Sequence, residues 1–235
     1  MGADGSSIPE NIQRVRESMA RAAERAGRRA EEITLVAVSK TFPAEAIRDA
    51  FEAGVRHFGE NRVQEWESKQ PLVADLAATW HLIGHLQSNK ARRAANLFHR
   101  VDSVDSAPLA QKLDAAVAAE GKRLQILIEV HLGDETTKSG VAEAELPELA
   151  EGVAALAHLE LRGLMTIPPF FEDVSRVRPY FRKLRELGDG LNSRLGCTLP
   201  VLSMGMSYDF EIAIEEGATE IRVGSALFGE RQAKV

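Results

Sequence analysis

Lys40 closes the segment Ile-Thr-Leu-Val-Ala-Val-Ser-Lys, residues 33–40. Alternation along a strand puts Val36, Val38 and Lys40 on one face and Leu35, Ala37 and Ser39 on the other. Both faces are largely apolar, the pattern of a strand buried on both sides. Burial disfavours the charged form of an amine and lowers its pKa, which makes a nucleophile able to condense with an aldehyde. The competing reading is a lysine that extends its charged end to water. Near the other end of the chain, Glu220, Arg222 and Gly224 alternate with Ile221 and Val223. If the apolar pair packs outward, Arg222 points inward, where its guanidinium stays charged and needs an acceptor. A carboxylate such as Glu220 and an acceptor on a ligand both satisfy that need.

Two turns of small residues could grip an anion. Gly224-Ser225 follows the Arg222 segment, and Ser203, Gly205 and Ser207 lie in Leu-Ser-Met-Gly-Met-Ser, residues 202–207. Ser207 is placed to cap a helical pattern over 208–216. Such turns leave backbone N–H groups approachable, and a helix N-terminus favours negative charge; the plainer reading is that the glycines only make tight turns. Glu60 and Asn61 end His-Phe-Gly-Glu-Asn, and Asn61 can cap a helix or hydrogen-bond a ligand. His81 and His85 are four apart but straddle a strand and a glycine, so no metal pair on one helical face is expected. His85 is expected near the pocket and His81 in ordinary packing. Residues 133–140, Gly-Asp-Glu-Thr-Thr-Lys-Ser-Gly, lack the glycine before Lys138 that a phosphate loop requires. They read as a loop offering a mobile positive charge at Lys138. Asp105 reads as a helix cap, and Cys197, beside a glycine, is given no catalytic role.

The elements that must position these residues alternate regularly. Strand patterns cover 33–40, 54–58, 79–83, 97–103, 124–131, 159–165, 199–203 and 220–224, with helical patterns over 43–53, 107–119, 143–157, 177–195 and 208–216. Strands and helices joined by short connections imply parallel βαβ units with right-handed crossovers. Eight units predict an α/β fold, a single (β/α)8 TIM barrel, with function at the C-terminal strand ends. An open doubly wound sheet is the runner-up, and no G-x-G-x-x-G follows the first strand to support it. Ahead of the barrel, Ser7 and Glu10 form a capping box, Ile8, Ile12, Val15, Met19 and Ala22 make one apolar stripe, and Gly27 ends it. Residues 1–27 are therefore expected as an extra N-terminal helix packed on the barrel, and 1–235 as one domain.

Composition narrows the function classes. The 235 residues carry 29 Lys and Arg against 35 Asp and Glu, a formal charge of -6, which argues against nucleic acid or an anionic membrane as the main partner. One cysteine cannot make an internal disulfide or a zinc cluster. The N-terminus has neither the basic nor the apolar region of a signal peptide, and no apolar run approaches the roughly 20 residues of a membrane span. A cytoplasmic protein is expected, and a monomer, since no long exposed apolar stripe asks for a partner.

Ala-Val-Ser-Lys-Thr-Phe-Pro, His-Phe-Gly-Glu-Asn-Arg-Val-Gln-Glu, Trp-His-Leu-Ile-Gly-His-Leu-Gln-Ser-Asn-Lys, Thr-Lys-Ser-Gly, Gly-Leu-Met-Thr-Ile, Leu-Ser-Met-Gly-Met-Ser and Gly-Ala-Thr-Glu-Ile-Arg-Val-Gly-Ser-Ala-Leu-Phe-Gly occur in this order between about Ile33 and Gly229. The set resembles the YggS/PROSC family, the pyridoxal 5′-phosphate (PLP) homeostasis proteins, whose fold is similar to the barrel domain of alanine racemase (PLP fold type III). The resemblance implies that Lys40 holds PLP as an internal aldimine, that Asn61 lies close to the ring and that Arg222 faces the pyridine nitrogen. It implies further that Ser207, Gly224 and Ser225 hold the phosphate, with Met204 and Gly205 lining the same corner. It implies binding and distribution of PLP, with PLP-dependent apo-enzymes as candidate recipients, no catalytic residue and no robust turnover.

Two rival readings are a PLP-dependent amino-acid racemase of the alanine racemase type and a phosphate-site barrel acting on a phosphorylated metabolite without a Schiff base. An arginine opposite the ring nitrogen donates hydrogen bonds only and leaves the cofactor a poor electron sink. Alanine racemases share that arginine and add a tyrosine from a separate C-terminal domain. The chain ends six residues after Gly229, so no such domain is expected. Tyr180 is expected outside the barrel, Tyr208 begins a helix beside the phosphate corner, and Lys138 is the candidate second lysine. Two positions depart from the family pattern. Tyr208 replaces an aspartate after Met-Gly-Met-Ser, adding bulk and removing a charge. Asp102 stands in Val-Asp-Ser-Val-Asp where the family often has histidine.

Overall fold

The structure, a computed structural model, describes residues 6–133 and 139–229, so Lys138 lies outside the described residues. Helix α1 (Ile8–Arg25) starts at the expected capping box, with the Ser7 hydroxyl accepting the Glu10 N–H and the Glu10 carboxylate accepting the Ser7 N–H. Its stripe of Ile12, Val15, Met19 and Ala22 is buried. Asn11 Nδ2 ties it to Leu227 O at 2.9 Å, and Arg25 reaches Glu211 and Glu215.

The barrel strands are β1 (Thr34–Val38), β2 (His57–Glu60), β3 (Thr79–Leu82), β4 (Arg100–Val104) and β5 (Leu124–His131), followed by a two-residue β6 (Val141–Ala142) that pairs only with β5, then β7 (Leu159–Met165), β8 (Val201–Ser203) and β9 (Glu220–Val223). All pairings are parallel; neighbours run β4-β3-β2-β1-β9-β8-β7-β5, and β4 pairs with β5 to close the ring. That last pairing makes the expected (β/α)8 barrel and excludes the open sheet. Around it lie α2 (Ala44–Glu52), α3 (Val63–Lys69), α4 (Ala91–Leu97), α5 (Ala107–Ala118), α6 (Leu146–Ala154), α7 (Arg178–Leu195), α8 (Phe210–Glu215) and α9 (Ser225–Phe228). The core lies between ring and helices, where Ile47, Phe58, Trp66, Ile126 and Phe181 are fully buried; each such side chain contributes about 1.5–3 kcal/mol.

Some boundaries differ from expectation. The strand expected from residue 54 begins at His57, because Gly54, at φ 88°, still belongs to the turn after α2. The strand expected from residue 97 begins at Arg100, because Leu97 completes α4.

Register fixes which side chains fill the barrel. Val36 pairs with both Arg222 and His57, Gly59 with His81, His81 with Arg100, and Met165 with both Glu129 and Ser203. Paired residues share a face, so all of these point inward. The lower interior is charged. Arg100 Nε lies 2.6 Å from Asp102 and its Nη2 lies 2.6 Å from Glu220; His81 Nδ1 lies 3.4 Å from Asp102 and His57 Nδ1 3.0 Å from His81. Burial works against an ionised Asp102, but Arg100 and His81 outweigh it and hold the carboxyl well below its usual range. Burial, reinforced by His81, pushes His57 down to about 4. His81 thus belongs to a buried ion cluster, a correction to the ordinary packing expected of it. His81, Asp102 and Glu220 bring their ligand atoms within 4.8 Å of one another, yet the Arg100 guanidinium already supplies the cation between the two carboxylates.

Candidate functional site

At the C-terminal strand ends a cavity of about 340 Å³ opens, a size suited to a small cofactor. Lys40, Asn61, Ser207, Arg222, Gly224 and Ser225 line it together, with Val38, Phe42, Ile83, Ile167, Phe170, Met206, Tyr208 and Gly229. Lys40 reaches it because β1 ends at Val38 and the alternation of Val36 and Val38 carries on to the lysine.

Arg222 is buried, with Nη1 donating to Ser203 Oγ and Nη2 to Thr166 O, both at 2.8 Å. These bonds use only part of the guanidinium's fork of donors. Burial pushes its pKa down from the usual value, while Glu220, Asp102 and Glu129 oppose that shift. Glu220 does not bond it directly; its oxygens go to Arg100.

The two small-residue turns meet. Ser207 Oγ accepts the N–H groups of Gly224 and Ala226 at 3.3 Å each. Ser207 is therefore not the helix cap it was expected to be: α8 starts at Phe210 with Asp209 at the N-cap position, and the Asp209 carboxylate accepts the Met206 N–H at 2.5 Å. Gly205 has φ 93°, and a Cβ there would come within 2.6 Å of Ala213 Cβ and 2.9 Å of Phe210 Cα. Gly205 thus permits close packing of the turn on α8 rather than lining the cavity. Met204, also expected in the lining, is fully buried in the core, and Met206 lines the cavity instead. The positive φ at Gly205 breaks the strand alternation between them.

Glu60 ends its strand as Asn61 begins the mouth, and a place at the mouth is expected for both. Glu60 instead faces away from the mouth, fully buried, and pairs with Lys69 at 3.0 Å. His85 is exposed, 3.5 Å from Asp105, in a groove that adjoins the cavity through Asn61. Tyr180 packs on Phe171 outside the barrel, as expected. The sequence does not single out Thr166 and Met206; it does single out Ser203, as part of an anion-gripping turn, but the Ser203 hydroxyl accepts from Arg222 instead. Ser203 shares the inward parity of Arg222's neighbours and was readable on that basis; Thr166 and Met206 lie past their strand ends, where parity no longer speaks.

The donor set fits PLP. An amine, an inward guanidinium and a corner of serine hydroxyls and backbone N–H groups answer an aldehyde, a ring acceptor and a phosphate, and Gly224 leaves that corner open beside Val38. A family model described as the alanine racemase N-terminal domain matches residues 8–232. The pyridoxal phosphate homeostasis protein of Aquifex aeolicus (strain VF5) is 46% identical over 223 residues, covering 95% of this chain and 98% of that one. This chain belongs to the pyridoxal phosphate homeostasis family. Another similar structure is PipY of Synechococcus elongatus PCC7942 with PLP bound: 39% identity, TM-score 0.85, covering 95% of the homeostasis-family chain described here and 100% of PipY. Alanine racemase of Clostridium difficile 630 matches at 16% identity and a TM-score of 0.73, covering 100% of this chain and 59% of the racemase, a likeness of fold alone.

Proposed function

We propose that this chain binds pyridoxal 5′-phosphate at the barrel mouth through Lys40 and serves the intracellular supply of that cofactor without robust turnover of a substrate. The observation that carries the reading is the single cavity joining Lys40, Arg222 and the Ser207 and Gly224-Ser225 turns. PLP supplies an aldehyde carbon to which an amine nitrogen bonds, the aldehyde oxygen leaving as water with the two amine hydrogens. Lys40 provides that amine. Arg222 donates to the ring nitrogen and, being a donor only, withholds the proton a carbanion-storing enzyme would want there. Ser207, Gly224 and Ser225 would hold the phosphate, and Asn61, which lines the same cavity, would contact the ring. Met204 and Gly205 support this corner from behind.

The rest of the reading is a cytoplasmic monomer, one domain with α1 as its N-terminal brace, that passes PLP to apo-enzymes. Among the described residues no helix is long and apolar enough to cross a membrane. The test is titration of the purified chain with PLP, followed by borohydride and mapping of the modified residue. Wild type should carry the modification on Lys40. Lys40→Ala should keep its fold and retain weaker, non-covalent PLP binding through the phosphate corner. Loss of secondary structure in that variant would make Lys40 structural.

One observation favours a second reading. Tyr208, 79% exposed, lines the same cavity as Lys40, and a phenol there offers an acid/base group for slow amino-acid chemistry. Incubation of the loaded protein with L- or D-alanine in deuterated water distinguishes them. Enzyme-like Cα exchange accompanied by formation of the opposite enantiomer, both lost in Tyr208→Phe, would establish the racemase.

A further inference from the structure

The residues flanking Lys40 form a tight turn that its own sequence opposes. The Phe42 N–H donates to Ser39 O at 3.1 Å, which makes residues 39–42 a four-residue turn with Lys40 and Thr41 at its centre. Thr41 has φ 68°, the one positive φ outside glycine among the described residues. Positive φ at the third residue of a turn, with Lys40 outside that region, is the type II form, which normally requires glycine or asparagine there. A β-branched threonine resists it, so neighbouring structure must impose it.

Glu65 and Lys69 on α3, with Glu60 at the end of β2, do so from both sides of Lys40. On one side, the Glu65 carboxylate accepts the Thr41 N–H at 2.5 Å. On the other, Lys69 Nζ donates to Ser39 O at 2.9 Å, while Ser39 Oγ donates to Glu60 at 2.7 Å. Lys69 joins the two arms, 2.6 Å from Glu65 and 3.0 Å from Glu60. Lys69 is only 9% exposed and Glu60 not at all, so the Lys69 contacts with Glu60 and Ser39 are little screened by solvent, whereas the Glu65 side chain is 25% exposed. None of the three clamp side chains lines the cavity. The Thr41 N–H belongs to the central peptide of the turn, the unit whose orientation distinguishes type II from type I.

We propose that Glu65 and Lys69 are positioning residues that clamp the 39–42 turn in its type II form and so hold the root of the Lys40 side chain in place before the aldehyde arrives. The inference rests on the reading of Lys40 as the PLP amine. Without the clamp the turn relaxes toward forms that threonine prefers, and fewer molecules present the amine to the cavity. The expected penalty falls on the covalent link and spares the ring and phosphate contacts, which other residues make.

The experiment compares wild type, Glu65→Ala, Glu65→Gln and Lys40→Ala, each as the full chain. Two probes are titrated: PLP, and pyridoxamine 5′-phosphate, which has the same phosphate and nearly the same ring but no aldehyde. Glu65→Ala leaves the Lys69–Glu60 pair intact and should fold. It should weaken formation of the borohydride-fixable Lys40 adduct by roughly tenfold, the scale of one strained residue, with pyridoxamine 5′-phosphate affinity unchanged. Glu65→Gln, whose amide oxygen still accepts the Thr41 N–H, should recover most of the adduct. Equal loss for both probes would mean general damage to the site and overturn the proposal. So would an unchanged adduct in Glu65→Ala. An adduct that persists in Lys40→Ala would instead overturn the reading of Lys40 itself.

Discussion

Gly205→Ala offers a quantitative check on how the phosphate corner is built. The new methyl group would sit 2.6 Å from Ala213 Cβ and 2.9 Å from Phe210 Cα, where ordinary contact begins near 3.4 Å. Two costs combine: a left-handed backbone for an L-residue, about 1–2 kcal/mol, and overpacking against α8, about 1–3 kcal/mol. The sum is about 2–5 kcal/mol, or roughly 4–20 °C in melting temperature for a domain of this size. Gly121 is the control, because it also has positive φ, 62°, but a Cβ there meets nothing within 4 Å. Gly121→Ala should show the backbone cost alone. Relief of the clash pushes Met206 and Ser207 away from Gly224, so Gly205→Ala should also weaken PLP retention about tenfold, the equivalent of one charge-assisted hydrogen bond. Differential scanning fluorimetry with and without PLP reads both effects. Melting temperatures of the two variants within about 1 °C of each other would refute the close-packing argument.

Two further substitutions probe the barrel interior. Glu129 is buried, with Oε2 unpartnered among the described residues and Oε1 accepting the Ser139 hydroxyl at 3.1 Å; burial pushes its carboxyl up, against Ser139 and Arg222. A raised folded-state pKa means the neutral form suits the fold, so this contribution is present below the unfolded value of about 4.3 and lost as pH rises through the folded value. Glu129→Gln mimics the neutral acid and should be more stable than wild type at pH 8 but no more stable at pH 4; denaturant midpoints at the two pH values check this. Asp102→Ala leaves Arg100 with Glu220 alone and should cost about 3–5 kcal/mol in urea unfolding, whereas a loss below about 1 kcal/mol would mean the cluster reorganises freely.

The barrel was legible because period-two alternation on doubly buried strands survives in the sequence. The same alternation put Lys40 on the face of Val36 and Val38, and the condition it set for Arg222 is met, because Ile221 and Val223 pack in the core while Arg222 pairs in register with Val36. It failed where strands end. Past Ser203, the positive φ at Gly205 breaks the alternation, so Met206 lines the cavity where Met204 was expected. The eight βα units imply helices α3 and α4 but give them no bounds, because each has seven residues and neither carries a side-chain N-cap bond. The Glu60–Lys69 pairing was hidden for a different reason: it joins a strand end to the far end of the next helix, a contact that no local pattern signals. Similarly, nothing local announces that Ser207 would bond across to Gly224 while Asp209 takes over its helix.

The ion cluster of Arg100, Asp102, Glu220, His81 and His57 has a topological consequence. It fills the cylinder below Arg222, so the cavity at the strand ends has a charged floor. Its rim carries Ile167, Phe170 and Tyr208, the last two each 79% exposed. On the proposed reading, a protein that takes the cofactor directly would meet this chain at that greasy threshold.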